Sequence, residues 1–131
     1  MAPRFNEPLF VISVAARLVE MHPQTLRKYE REGLIAPSRT SGNLRLYSDR
    51  DIERLRQVKY LVEVVGLNLA GVQLALEMTN SLHELRDRLG RVSEAIDRGD
   101  GKGAKTECSS SFKDVDRALK VLGYERLGDQ S

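Results

Sequence analysis

The fold turns on HPQTLRKYEREGL, residues 22–34. Pro23 has its φ already fixed near the helical value and suits the first position of a helix, which leaves His22 as the cap. Leu26 and Tyr29 continue the turn and Gly33 stops it. Just upstream, Ser13 reads as an N-cap, and Val14, Ala15, Leu18 and Val19 recur at helical spacing, predicting a helix over 14–20. Two short helices joined by a tight turn, the second loaded with Arg27, Lys28 and Arg31, have the outline of a helix-turn-helix. A basic amphipathic pair with one solvated face gives the same pattern, so the charge along the whole chain has to decide.

The chain has 131 residues, 40% apolar and 31% charged, enough for a modest core. Its formal charge is only +2, too little to define a partner. Residues 22–47 hold five cations against Glu30 and Glu32, whereas residues 81–131 carry ten charges of each sign. The excess belongs to the N-terminal half, where a polyanion is the natural partner.

After Gly33, LIAPSRTSGNLRLYS reads as a small hairpin turning at Ser41-Gly42-Asn43, flanked by Arg39 and Arg45. Beside a helix-turn-helix, such a wing can set its arginines on phosphates and supply position and affinity. Basic hairpins also serve solubility alone. Ser48 with Asp51 then forms a capping box for a longer helix whose apolar stripe is Ile52, Leu55, Val58, Val62 and Val65, ending at Gly66. On that helix Arg50, Arg54, Arg56 and Lys59 alternate with acids and read as a solvated face. Asn68 caps the next helix, with Leu69, Val72, Ala75 and Leu76 facing inward.

Ser81 and Glu84 form a further capping box. Leu82, Leu85, Leu89, Val92 and Ile96 then recur at three and four residues, a coiled-coil seam. A stripe this narrow on an isolated helix would stay wet, so a partner is implied: antiparallel pairing with a second copy is preferred over packing on the chain's own core. Residues 99–111, rich in Gly, Ser and Lys, are expected to be a flexible linker. It contains Cys108, the chain's one cysteine. Lys105 could activate its thiolate, but a lone linker thiol reads as a bystander. Phe112, Val115, Leu119 and Leu122 outline a short C-terminal helix stopped by Gly123.

The expected architecture is mainly α. It has an N-terminal arm (1–11), a winged helix-turn-helix DNA-binding domain (12–80), a coiled-coil dimerisation helix (81–98), the linker (99–111) and a C-terminal amphipathic segment (112–131). A single cysteine leaves no internal disulfide and no multi-cysteine metal site, so no metal or cofactor is expected. The start MAPRFNEPLFVIS lacks the marks of a signal peptide, and no apolar run approaches the ~20 residues of a membrane span. A bacterial cytoplasm, in association with the nucleoid, is the expected setting. Catalysis is not expected: His22 reads as a cap, His83 as part of a solvated face, and no nucleophile sits in a catalytic setting.

TLRKYEREGLI, NLRLYSDRDIERLR and GLNLAGVQLALEM together resemble the MerR family of bacterial transcription regulators across residues 12–78. Within that family ISVAARLVEMHPQTLR, RTSGNLRLYS and LNLAGV are similar to HspR-type heat-shock repressors. The resemblance implies a homodimer on the double-stranded DNA of an inverted-repeat operator, repressing heat-shock and chaperone genes, with the DnaK chaperone as co-repressor. It implies Thr25, Arg27 and Tyr29 in or beside the major groove, and Arg45 on the wing near phosphate; Lys28 and Tyr47 are counted with them among the expected DNA-binding residues. Arg39 is added from its place on the wing. Many members have two tyrosines where this chain has Lys28 and Tyr29.

Metal- and oxidation-sensing members need cysteine clusters, and drug-binding members a large C-terminal domain, so no small-molecule effector is expected here. The input is then a protein, temperature, or nothing. Leu119, Val121, Leu122 and Tyr124, flanked by cations, could be the chaperone's handle or could close as a helix on the dimer. Alternatives from other classes are an architectural or excisionase-like DNA bender, a MerR-type activator without effector, and a pure protein-interaction adaptor.

Overall fold

A computed structural model describes residues 5–121 and residue 124. Leu122, assigned above to the tail's apolar set, lies outside them. The chain divides into two compact units, residues 1–73 and 74–131, with the boundary inside one helix.

In the first unit, β1 (Phe10–Val11) leads directly into α1 (Ile12–Val19), followed by α2 (Pro23–Arg31), β2 (Ser38–Arg39), β3 (Arg45–Tyr47) and α3 (Asp49–Tyr60). The strands form an antiparallel sheet in the order β1-β3-β2, with Phe10 opposite Tyr47 and Ser38 opposite Leu46. The expected arm is therefore partly sheet: Phe10 and Val11 complete the wing from the far side of β3. The α1 boundary also differs from expectation. Its cap is Val11, with no side-chain cap, and Ser13 lies inside the helix. The strand delivers the chain straight into the first turn, so no polar cap is used.

Local chemistry fixes the other starts as expected. The His22 ring Nδ1 accepts the Gln24 N–H at 3.1 Å. Ser48 and Asp51 form a complete capping box, with Ser48 Oγ accepting from Asp51 N at 3.1 Å and Asp51 Oδ2 accepting from Ser48 N at 2.9 Å. Each such cap stabilises its helix by ~0.5–2 kcal/mol.

The core of this unit joins Ala15, Ala16 and Val19 of α1 to Leu26 and Tyr29 of α2, Leu34, Ile35, Tyr47, and Ile52, Leu55 and Val58 of α3. The α3 stripe does not extend to Val62 and Val65, which are exposed. After Tyr60 the helix widens into a π-helical turn, Leu61–Val65, before Gly66. Its i→i+5 bonding rotates the following side chains off the line set by the α-helical period, so a stripe extrapolated at 3.6 residues misses.

The cations of α3 are not merely a solvated face. Arg54 Nε donates to the carbonyl of Leu34 and Arg56 Nη2 to that of Leu18. Lys59 Nζ donates to the carbonyls of Val19 and Glu20, each at 3.2 Å. These carbonyls lie at the end of α1 and just beyond α2, where helices lack intrahelical donors. Three cations of α3 thus fasten both helices of the helix-turn-helix onto their support.

Helix α4 runs without a break from Leu69 to Asp97. Asn68 caps it as expected, its side chain accepting from Gly71 N at 2.9 Å. The Ser81–Glu84 capping box does not form, because no glycine or proline interrupts the chain there and Thr79 Oγ1 folds back onto the Ala75 carbonyl within the helix. Val72 and Leu76 are buried, while Leu69 is exposed.

In the second unit α4 turns at Gly99, whose φ of +73° suits the left-handed position ending a helix. Asp100 N donates to the Ala95 carbonyl at 2.8 Å and the Asp100 carboxylate accepts from Gly103 N at 2.9 Å. Helix α5 follows, Gly101–Val121. The expected linker 99–111 is thus a turn followed by helix. Val92, Ala95 and Ala104 form a small apolar contact between the two helices, and Arg88–Asp114 (2.6 Å) and Arg91–Glu107 (3.4 Å) pair across it.

The seam residues divide. Val92 is buried in the hairpin and Leu85 is half-buried on the same side, whereas Leu82, Leu89 and Ile96, seven residues apart, are exposed. Phe112 and Val115 of α5 are exposed as well, because the face of α5 turned inward carries Ala104, Ser111 and Asp114 instead. No helix among the described residues is long and apolar enough to cross a membrane.

Candidate nucleic-acid interface

Helix α2 buries Leu26 and Tyr29, three residues apart, against the core. Helical geometry then turns Gln24, Lys28 and Arg31 to the outside, with Thr25 and Arg27 half-exposed on the flanks. The Lys28 side chain is 61% exposed and its contact with Glu32, at 3.9 Å, is a loose surface pair that leaves its ammonium free to meet another anion. Arg31 was absent from the expected contact set. Its spacing of three from Lys28 places it on the same outward row, a signal already present in the helical period.

Leaving α2, Gly33 N bonds the Glu30 carbonyl at 3.0 Å and Leu34 N that of Tyr29 at 2.9 Å. Gly33 has φ +78°, a conformation that penalises any side chain, so the chain can turn sharply toward the wing. The wing's tip closes through Thr40 N to Leu44 O at 2.9 Å and Leu44 N to Thr40 Oγ1 at 3.1 Å, with Asn43 at φ +64°.

Arg39 and Arg45 are cross-strand partners. Two like charges directly opposite one another destabilise a strand pair. Here one carboxylate lies between them. Glu30 of α2 accepts from Arg39 Nη2 at 2.9 Å and from Arg45 Nε at 2.8 Å, and Arg39 Nη1 also donates to the Asn43 carbonyl at 3.2 Å. Desolvation alone would raise the Glu30 pKa, but the hydrogen bond and charge of Arg45, joined by those of Arg39, outweigh it and hold the carboxyl below its ordinary range. The wing's two cations are thus tied to the second helix of the helix-turn-helix.

The two tyrosines sit elsewhere than expected. Tyr47 has no exposed surface, and its hydroxyl is buried with no hydrogen-bond partner among the described residues. Its place in β3, between Phe10 and the start of α3, turns the ring into the core, so it is not positioned to touch phosphate. Tyr29 retains only 9% exposure and serves mainly as packing. Burial, reinforced by the Glu63 and Glu32 carboxylates, pushes its hydroxyl above the ordinary range. Burial and the charge of Glu30 do the same for Tyr47, against the opposing charge of Arg45. Of the expected set, Thr25, Arg27 and Lys28 on α2 and Arg39 and Arg45 on the wing keep exposed surface while Tyr29 and Tyr47 are buried, and Glu30 is the link that charge counting did not reveal.

Residues 10–79 match the MerR HTH family regulatory protein model, which spans β1 through the first third of α4. The chain belongs to the MerR HTH family. A Streptomyces coelicolor protein named as a heat shock protein, HspR, is 51% identical over 92 residues, covering 70% of this chain and 61% of the relative. The transcriptional regulator GlnR of Bacillus anthracis is 37% identical over 81 residues, 62% of each chain. The Bacillus subtilis regulator YfmP is 40% identical and is covered more fully, over 83% of this chain and 89% of its own. The chain thus spans about three-fifths of HspR and GlnR. In this MerR-family chain the match takes in the whole helix-turn-helix and wing and stops short of the helical hairpin.

Proposed function

We propose that this MerR-family chain is a sequence-specific DNA-binding transcription repressor of heat-shock and chaperone genes. It binds an inverted-repeat operator as a homodimer, with DnaK as co-repressor. The observation that carries the DNA reading is the outward row of α2: cations and polar groups free of the core, beside a wing carrying two more arginines. Thr25, Arg27 and Lys28 enter or border the major groove, where arginine can bridge the O6 and N7 of guanine, and Arg39 and Arg45 meet flanking phosphates. The heat-shock assignment rests on the similarity to HspR.

For dimerisation, Leu82, Leu89 and Ile96 are the part of the seam left exposed, and their heptad spacing suits a neighbouring helix of a second copy. Leu85 and Val92 belong instead to the hairpin. The chaperone handle is assigned to Leu119, Val121, Leu122 and Tyr124; exposure of Val121 and Tyr124 supports it.

Transcription in vitro from the promoter of a chaperone operon of the source organism tests the proposal. Added protein should suppress the transcript, and DnaK should deepen suppression. Stimulation of the transcript would select an activator, and no effect on a promoter that the protein nevertheless bends would select an architectural protein.

A further inference from the structure

The three charged groups that join the wing to α2, Glu30, Arg39 and Arg45, raise a question that the DNA reading leaves open. Two arginines meant for phosphate are already occupied. The Glu30 side chain is 19% exposed, and it meets Arg45, 26% exposed, and Arg39, 37% exposed, so this is a partly desolvated pair of ion pairs and not a chance surface contact. Both carboxylate oxygens are used, with Oε1 toward Arg39 and Oε2 toward Arg45. The geometry is that in which two guanidinium groups would grip a backbone phosphate.

The triad also solves a folding problem. Arg39 and Arg45 face one another in register across a strand pair only a few residues long, and without an anion between them their repulsion would splay the wing. Because Glu30 belongs to α2, the anion that quiets the wing also fixes its position relative to the helix that reads the groove. In the same sequence, Glu32 sits two residues on and pairs with Lys28 at the much looser 3.9 Å. The two carboxylates of α2 are therefore not equivalent.

We propose that Glu30 is a positioning and specificity residue for DNA binding, acting in the free protein as an internal stand-in for phosphate on Arg39 and Arg45. The wing is thereby held in register with α2, and its two cations are released only to a phosphate that arrives in the matching place. On non-cognate DNA, where α2 does not seat in the groove, the exchange of Glu30 for phosphate brings little gain. Random binding is suppressed. On the operator, groove contacts by α2 offset the cost of the exchange. Glu30 thus lowers affinity for all DNA but lowers it more for the wrong DNA, which raises discrimination. This inference rests on the wing-to-phosphate assignment made above.

The test uses the full chain, with a duplex that the protein itself enriches from a random pool and a scrambled duplex of the same composition, over a range of salt concentrations. Glu30→Gln keeps the shape and removes the charge. It should tighten binding to the scrambled duplex about three- to tenfold and steepen the slope of log affinity against log salt by ~1–2, as one or two cations become free to displace counterions. Affinity for the enriched duplex should rise less, so the ratio between the two shrinks. Glu30→Asp, which retains the charge, should restore most of the ratio.

Unchanged scrambled-duplex affinity and salt slope in Glu30→Gln would overturn the proposal. So would an equal loss on both duplexes, the mark of a merely structural residue. Arg45→Ala and Arg39→Ala separate this from failure of the underlying assignment. If neither changes affinity for any duplex, the wing does not meet phosphate and both readings fall. If they weaken binding while Glu30→Gln changes nothing, only the role of Glu30 is lost.

Discussion

Arg88 and Asp114 face one another across the helical hairpin at 2.6 Å, with the Asp114 side chain only 6% exposed. Arg117, three residues on, approaches the same carboxylate at 3.3 Å. Around them the hairpin offers little apolar surface beyond Val92, Ala95 and Ala104. Ion pairs therefore accompany the small apolar contact, and removing the cations would strand the desolvated Asp114 carboxylate.

Asp114→Ala should destabilise the hairpin by about 1–3 kcal/mol, below the range for fully buried pairs because Arg88 keeps contact with water. Amide exchange over residues 101–121 should quicken, while exchange in α2 and α3 stays as it was.

Arg27→Ala should cost ~1–3 kcal/mol in binding to a cognate duplex and relax discrimination at one base position, as expected for a base contact. Lys28→Ala should weaken cognate and random DNA alike. Titrations of both variants on matched duplexes distinguish these patterns, and an unchanged cognate affinity for Arg27→Ala would remove it from the interface.

Tyr47→Phe should leave DNA affinity unaltered and be neutral or stabilising by up to about 1 kcal/mol, since it deletes a buried hydroxyl that has no partner among the described residues. Thermal unfolding alongside DNA titration checks it. A marked loss of affinity at constant stability would return Tyr47 to the phosphate contacts.

Acid should loosen the wing. Because the Glu30 carboxyl titrates below its ordinary range in the folded chain, its contribution is present in full above the unfolded carboxyl's pKa of about 4.3 and is lost as pH falls through the lower folded value. Wild type should therefore exceed Glu30→Gln in stability near neutral pH, and the difference should shrink on acidification. A difference that held constant with pH would show that the Glu30 charge is not what stabilises the wing.

Much of this architecture could be read from local sequence because its causes are local. The His22 cap, the Ser48–Asp51 box, the turn at Gly33 and the cap at Asn68 each depend on a few consecutive residues, and each forms as read. Where the cause lies far along the chain, reading failed. Phe10–Val11 is a strand only because β3 lies beside it, with Phe10 opposite Tyr47 and Val11 opposite Leu46, more than 30 residues later. The Ser81–Glu84 pattern is a valid cap signal that a helix already under way overrides.

Residues 101–111 have a linker's composition. They nevertheless fold as helix because Asp100 satisfies the Gly103 amide and Ala104 packs on α4. At the candidate site, charge counting located the basic helix and wing but could not show that Glu30 joins them, nor that Tyr29 and Tyr47 turn inward.

If the proposed homodimer forms through this seam, Leu89→Lys should dissociate it without unfolding the hairpin, because residue 89 is 51% exposed in the single chain. Val92→Lys, by contrast, should unfold the hairpin itself, since it places a charge among buried groups. Sedimentation combined with circular dichroism separates the two effects. A Leu89→Lys chain that remains fully dimeric would exclude the exposed heptad as the interface.

The most direct test of the central claim, that this helix-turn-helix and wing read a specific operator as a pair, is selection of duplexes from a random pool followed by footprinting of the enriched sequence. Two symmetric protected half-sites about one helical turn apart, ~34 Å, and at least ~10³-fold preference over scrambled DNA are expected. A pool that yields no common sequence, or binding that salt abolishes equally on every duplex, would contradict it.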